Sequence, residues 1–158
     1  MIFVTVGHQM PFDRLVRAMD AWAEQAGRSD CFAQIGDGAY APRRFPSARF
    51  LAPQQFRDHM ANARAIVAHA GTGTILSALQ LGKPILVLPR RSDLGETRND
   101  HQVATAKHFA AAGHVLAAYD EGALVARMAD LEQQRPGPLL GGSASPELLA
   151  AIRTFLRV

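Results

Sequence analysis

The residues best suited to chemistry lie in the stretch 67–89, VAHAGTGTILSALQLGKPILVLP. Gly71 and Gly73 flank Thr72, Thr74 follows, and the turn runs into an apolar helical pattern of Ile75, Leu76, Ala78 and Leu79. Glycines let the backbone approach an anion closely, and the threonine hydroxyls add donors. A helix N-terminus also offers unpaired N–H groups and a partial positive charge that suit a phosphate. One such turn stabilises an exposed anion by only about 0.3–1 kcal/mol, so a diphosphate requires further loops. His69 stands immediately before the turn and either donates to the same anion or is satisfied within the core.

Two other loops carry unusual residues. VGHQMPFD contains Gly7, His8 and Gln9, and PRRSDLGETRNDHQ contains Arg90, Arg91, Glu96, Asn99, Asp100, His101 and Gln102. The Asn, Asp, His and Gln cluster supplies the mixed donors and acceptors that sugar hydroxyls require, or simply caps a helix. Arg90 and Arg91 either neutralise a diphosphate, contact a partner or lie on a solvated surface. Leu76 occupies the place of the third glycine in a dinucleotide fingerprint, and Gly82-Lys83-Pro84 lacks the hydroxyl residue of a Walker loop. No metal is expected, because His101 and His108 are not an i, i+4 pair and no Asp-x-Asp element is present. Nothing resembles a nucleophile elbow.

Alternating strands and helices must position these loops. Apolar runs predict strands at 2–6, 31–36, 48–53, 65–68, 84–88 and 114–119. Helical spacing predicts helices from residue 12 to 27 and over 55–63, 74–81, 99–112 and 120–131, with a last one at about 146–157 after Ser145. The segment 135–143 reads as a Pro- and Gly-rich linker. The run 84–88 is apolar without alternation, as in a sheet covered on both faces. The expected class is α/β, a Rossmann-like, doubly wound parallel sheet in a single domain over 1–158. Ligands of such sheets bind at the carboxyl ends of the strands, where all three loops fall.

Composition narrows the function further. The 158 residues carry 48% hydrophobic and 20% charged residues with a net charge of +3, which fits one soluble domain. No apolar run approaches the roughly 20 residues of a membrane span, and the start MIFVTVG reads as a first strand rather than a signal peptide, so a cytoplasmic location is expected. The single cysteine, Cys31, reads as core. Without interleaved aromatic and basic residues, nucleic-acid binding is not expected.

Taken in order, VTVG with FDRLV, HAGTGTILSALQLGKPILVLPR and NDHQVATAKHFAAAGHV resemble the C-terminal, donor-binding domain of glycosyltransferase family 28, over about two thirds of the chain. The resemblance is strongest to the small stand-alone subunits of two-part enzymes. It implies one GT-B half that binds a UDP-sugar, with no cofactor, beside a membrane-attached subunit that brings a lipid-linked acceptor, as in exopolysaccharide assembly. The chain would then sit at the inner face of the cell membrane through that partner. By motif position, Gly71, Thr72, Gly73 and Thr74 would meet the diphosphate, with His69 adding positive charge. His101 and Gln102, with Asn99 and Asp100, would meet the sugar, and the backbone at Ala52 and Pro53 would lie near uracil. Gly7, His8 and Gln9 would face the acceptor, His8 being the local candidate for a base. The family's ribose-binding glutamate corresponds to Ser77 here, so ribose recognition is expected to be weaker or supplied elsewhere, for instance by Glu96. That departure keeps open a non-catalytic module that binds a nucleotide sugar and regulates a partner. An epimerase-like or nicotinamide-dependent domain is a further reading, opposed by the missing third glycine.

Overall fold

The computed structural model describes residues 1–135 and 146–156. Its elements, in order, are β1 (Ile2–Thr5), α1 (Asp13–Gln25), β2 (Cys31–Gln34), β3 (Ser47–Ala48), α2 (Pro53–Asn62), β4 (Ala65–His69), α3 (Thr72–Gln80) and β5 (Ile85–Leu88). A 3-10 turn (Ser92–Leu94), α4 (His101–Ala111), β6 (Leu116–Ala117), α5 (Glu121–Gln133) and α6 (Pro146–Leu156) follow. Beyond residue 135 the expected linker falls outside the described residues, as does Ser145.

All pairings are parallel, and the six strands lie in the order β3-β2-β1-β4-β5-β6. This is the doubly wound order whose direction reverses between β1 and β4, and the crevice at that reversal is where such sheets bind ligands. The alternation of side chains explains why the strands are apolar throughout. Ile2, Val4, Leu86 and Leu88 pack on one face against Leu15, Met19 and Trp22 of α1 and Leu124 and Met128 of α5. Phe3, Ile66, Ile85 and Val87 pack on the other face with Met60 of α2, Ile75 and Ala78 of α3, and Ala106 and Phe109 of α4. With both faces covered, a polar side chain in a central strand must find a partner. The fully buried Thr5 does so, donating from Oγ1 to Gln34 Oε1 at 2.7 Å across the ends of β1 and β2. Cys31 is buried core, its thiol pushed up to about 11 by that burial.

Several boundaries differ from expectation. Of the strand expected over 48–53 only Ala48 pairs, in β3 (Ser47–Ala48), and Pro53, whose fixed φ suits a first helical position, starts α2 two residues before the predicted 55. Gln55 reinforces that start by accepting the Ala52 N–H on Oε1 at 3.0 Å. Helix α3 likewise begins at Thr72 rather than 74, so the glycine turn is itself the first helical turn. Of the strand expected over 114–119, only Leu116 and Ala117 pair, with β5.

Candidate functional site

At the switch point, a cavity of about 340 Å³ is lined by Val6, Gly7, His8, Gln9, His69, Gly71, Thr72, Gly73, Thr74, Arg90 and Gln102. Its floor is the N-terminus of α3. Gly71 is the N-cap in extended conformation and has no side chain with which to cap. Ile75 N–H bonds back to Gly71 O at 3.1 Å, which leaves the N–H groups of Thr72, Gly73 and Thr74 as the unpaired donors of the first turn. Among the described residues no carboxylate lines the cavity.

The glycines have different occupants. A Cβ on Gly71 would lie 2.2 Å from His69 Nε2, and one on Gly7 would lie 2.6 Å from the same atom, whereas one on Gly73 would meet nothing within 4 Å. Gly7 and Gly71 therefore make room for the imidazole, and Gly73 keeps the cavity open. Gly7 also needs its missing side chain for a φ of +77°. His69 is enclosed by protein except where it meets the cavity, and burial, with the Arg90 cation nearby, depresses its pKa to about 4. Its Nδ1 lies 3.4 Å from Thr5 O. A carbonyl can only accept, so Nδ1 carries the proton of the neutral ring and Nε2 presents a lone pair. The expectation of a positive His69 at a phosphate is thus replaced by a neutral acceptor that spaces two loops.

Arg90, a residue given three alternatives from sequence, is buried to 3% exposure. Its Nη1 donates to Pro11 O at 2.7 Å and Glu96 O at 3.3 Å, its Nη2 donates to Val6 O at 2.7 Å and Met10 O at 2.5 Å, and the guanidinium stacks over Phe12. Burial lowers its pKa. Beside it, Glu96 is not available to a ribose. Its Oε1 and Oε2 accept from Arg14 Nε at 2.7 Å and Nη2 at 2.9 Å, and Oε2 also accepts the Arg91 N–H at 3.0 Å. Glu96 latches the loop after β5 to α1, which corrects its suggested role. Arg91 points into a pair with Asp93 on the surface rather than into the cavity.

The polar cluster before α4 divides in the same way. Asn99 Oδ1 accepts the His101 N–H at 3.0 Å, and Asp100 Oδ1 accepts from Ser92 N and Oγ at 2.9 and 2.8 Å, so both acceptors shape the loop and start of α4. Asp100 lines a separate groove with Arg91, Lys107 and Tyr119. Gln102 gives its Oε1 to the Arg90 N–H at 3.1 Å, which leaves its amide NH2 as donor. A second cavity of about 530 Å³ adjoins the first through Gln9 and Gln102 and is also lined by Asn99 and His101. Ser77, Pro53 and Glu96 line none of these cavities. Ser77 Oγ donates to Gly73 O at 2.8 Å within its own helix, so its hydroxyl proton is already committed. His8 lies at the rim, its ring stacked on the half-exposed Phe50. Among the described residues no cluster of His, Cys, Asp or Glu side chains is placed to hold a metal ion, and no helix is long and apolar enough to cross a membrane.

Residues 1–144, which include every element of this cavity, match the glycosyltransferase family 28 C-terminal domain. The chain belongs to that family. It is 31% identical over 124 residues to the UDP-N-acetylglucosamine transferase subunit ALG13 of Homo sapiens, and 41% identical over 56 residues to the ALG13 subunit of Eremothecium gossypii. These matches cover 72% and 35% of this chain, but only 10% and 26% of the relatives. In three dimensions the NMR structure of ALG13 aligns over 98% of this chain and 96% of its own with a TM-score of 0.67 at 19% identity. The glycosyltransferase SsfS6 from Streptomyces sp. SF2575, complexed with thymidine diphosphate, aligns over 97% of this chain and 37% of its own with a TM-score of 0.57 at 19% identity. The fold is therefore that of one GT-B half-domain.

Proposed function

We propose that this chain is the donor-binding subunit of an inverting GT-B glycosyltransferase that uses a UDP-sugar. The carrying observation is the uncapped first turn of α3, whose free N–H groups open on a cavity that no carboxylate of the described residues lines. An anion placed there receives backbone donors and the hydroxyls of Thr72 and Thr74. When a sugar leaves its diphosphate, negative charge grows on the leaving oxygens, and preorganised donors stabilise that charge as it forms. The adjoining cavity at Gln9, His101 and Gln102 then receives the sugar. That the relatives are transferase subunits supports a division of labour in which a membrane-attached partner supplies the lipid-linked acceptor, as in polysaccharide assembly at the inner face of the membrane.

Calorimetric titration with UDP, UDP-sugars and NAD tests the donor assignment. UDP and at least one UDP-sugar bind, and NAD does not; binding of NAD without UDP overturns the reading. Co-expression with the acceptor subunit followed by a transfer assay tests catalysis. Transfer falls when Thr72, Thr74 and His101 are replaced by alanine, whereas unaltered transfer would displace the site.

A further inference from the structure

The guanidinium of Arg90 has five N–H groups. The four on its terminal nitrogens all go to main-chain carbonyls of Val6, Met10, Pro11 and Glu96, and no acid is among its partners. The fifth, on Nε, has no partner among the described residues, although the residue lines the cavity and its charge reaches the cavity-lining His69. Arginine does not deprotonate in proteins, so this is a permanent charge. A buried cation held only by carbonyls, with the Glu96 charge acting on it from outside its hydrogen-bond shell, is only partly neutralised, which is costly. The nearby carboxylate, Glu96, is turned away into Arg14. Three of the four carbonyls belong to the loop between β1 and α1, which also carries His8 and Gln9.

We infer that Arg90 is the fixed counter-charge for the anion in this cavity and, at the same time, the positioning residue that holds the His8 and Gln9 rim beside it. The inference rests on the donor-binding reading and adds to it the source of charge. Because the four carbonyls prevent the side chain from swinging, the cation is in place before the ligand arrives, and no reorganisation is needed on binding. A merely structural arginine would favour no class of ligand. A counter-charge favours phosphate-bearing ligands over the bare nucleoside.

The test compares UDP, uridine and inorganic pyrophosphate by calorimetry on the full chain, for wild type, Arg90→Met and Arg90→Lys. Losing one hydrogen bond to a charged group corresponds to about a tenfold to hundredfold change. Arg90→Met is expected to weaken UDP and pyrophosphate by that factor while uridine changes less than threefold, which a general collapse of the site would not produce. Arg90→Lys keeps the charge and is expected to retain the wild-type ratio of UDP to uridine affinity within about threefold. If Arg90→Met does not fold, the lysine variant decides. A folded Arg90→Met with undiminished affinity for UDP and pyrophosphate, or a folded Arg90→Lys whose ratio collapses, overturns the inference. Wild type that binds pyrophosphate but neither UDP nor uridine refutes the nucleotide reading while leaving the counter-charge standing.

Discussion

Replacing Gly71 by alanine tests whether that glycine serves the ligand or His69. Its φ of −79° suits any residue, so alanine brings no backbone strain and would by itself stabilise by about 0.4–1 kcal/mol through the unfolded chain. The new methyl carbon, however, falls 2.2 Å from His69 Nε2, well inside contact distance, and the imidazole that must yield is buried. Overpacking of this kind costs about 1–3 kcal/mol, and after the alanine gain a net loss of about 1 kcal/mol lowers Tm by roughly 2–4 °C for a chain of this size. Removing the obstacle should remove the cost: in a His69→Ala background the same substitution stabilises by about 0.4–1 kcal/mol, a coupling near 2 kcal/mol in a urea-denaturation cycle. Gly7→Ala is the control, since its φ of +77° leaves about 1–2 kcal/mol of strain in either background. Equal cost of Gly71→Ala in both backgrounds would refute the argument that the glycine accommodates the histidine.

Gly73→Ala should behave oppositely, raising stability by about 0.4–1 kcal/mol because the residue is helical and its methyl meets no described atom within 4 Å, while UDP affinity by calorimetry falls at least about tenfold as the methyl enters the cavity. Glu96→Gln breaks the latch to Arg14 and lowers unfolding free energy by about 2 kcal/mol in urea titrations. His69 has a folded pKa of about 4 against an unfolded value near 6.5, so the unfolded state binds more protons below pH 6.5. Its contribution is present above 6.5, is lost as pH falls through 4, and amounts to at most about 3 kcal/mol. Urea midpoints at pH 7.5 and 4.5 should differ less in His69→Asn than in wild type.

Most of the architecture was legible because it follows from local patterns. The unalternated run at 85–88 announced a strand covered on both faces, and the spacing of Leu15, Met19 and Trp22 announced the face of α1 that meets it. The three loops expected at the carboxyl ends of the strands also fall there, since those strand ends lie within one residue of expectation. What the sequence concealed is which side chains those residues serve. Glu96 and Arg14 are 82 positions apart, and Arg90 reaches carbonyls 79 to 84 positions away, so no local spacing marks either arrangement. A glycine, too, looks the same whether the space it leaves is for a phosphate or for an imidazole. The clue available was the neighbour: a histidine two residues before Gly71 on a strand end has to put its ring over one of the adjacent turns.

The proton acceptor for the proposed sugar transfer presents a sharper choice. Two imidazoles line the donor cavity, and His69 has its Nε2 wedged toward the glycines. His8 is exposed at the rim, and among the described residues its ring stacks on Phe50 at a centroid distance of 6.4 Å. A histidine that acts as general base usually has its second nitrogen fixed by a carboxylate or carbonyl, which sets the tautomer and supports the charge as it forms. Among the described residues His8 has no such partner. The base is therefore expected from the acceptor-binding chain, and His8→Ala should keep UDP affinity within about threefold and lower kcat of the reconstituted pair by less than about tenfold. General acid–base catalysis contributes about a hundredfold to ten-thousandfold, so a loss in that range with donor binding intact would transfer the role to His8.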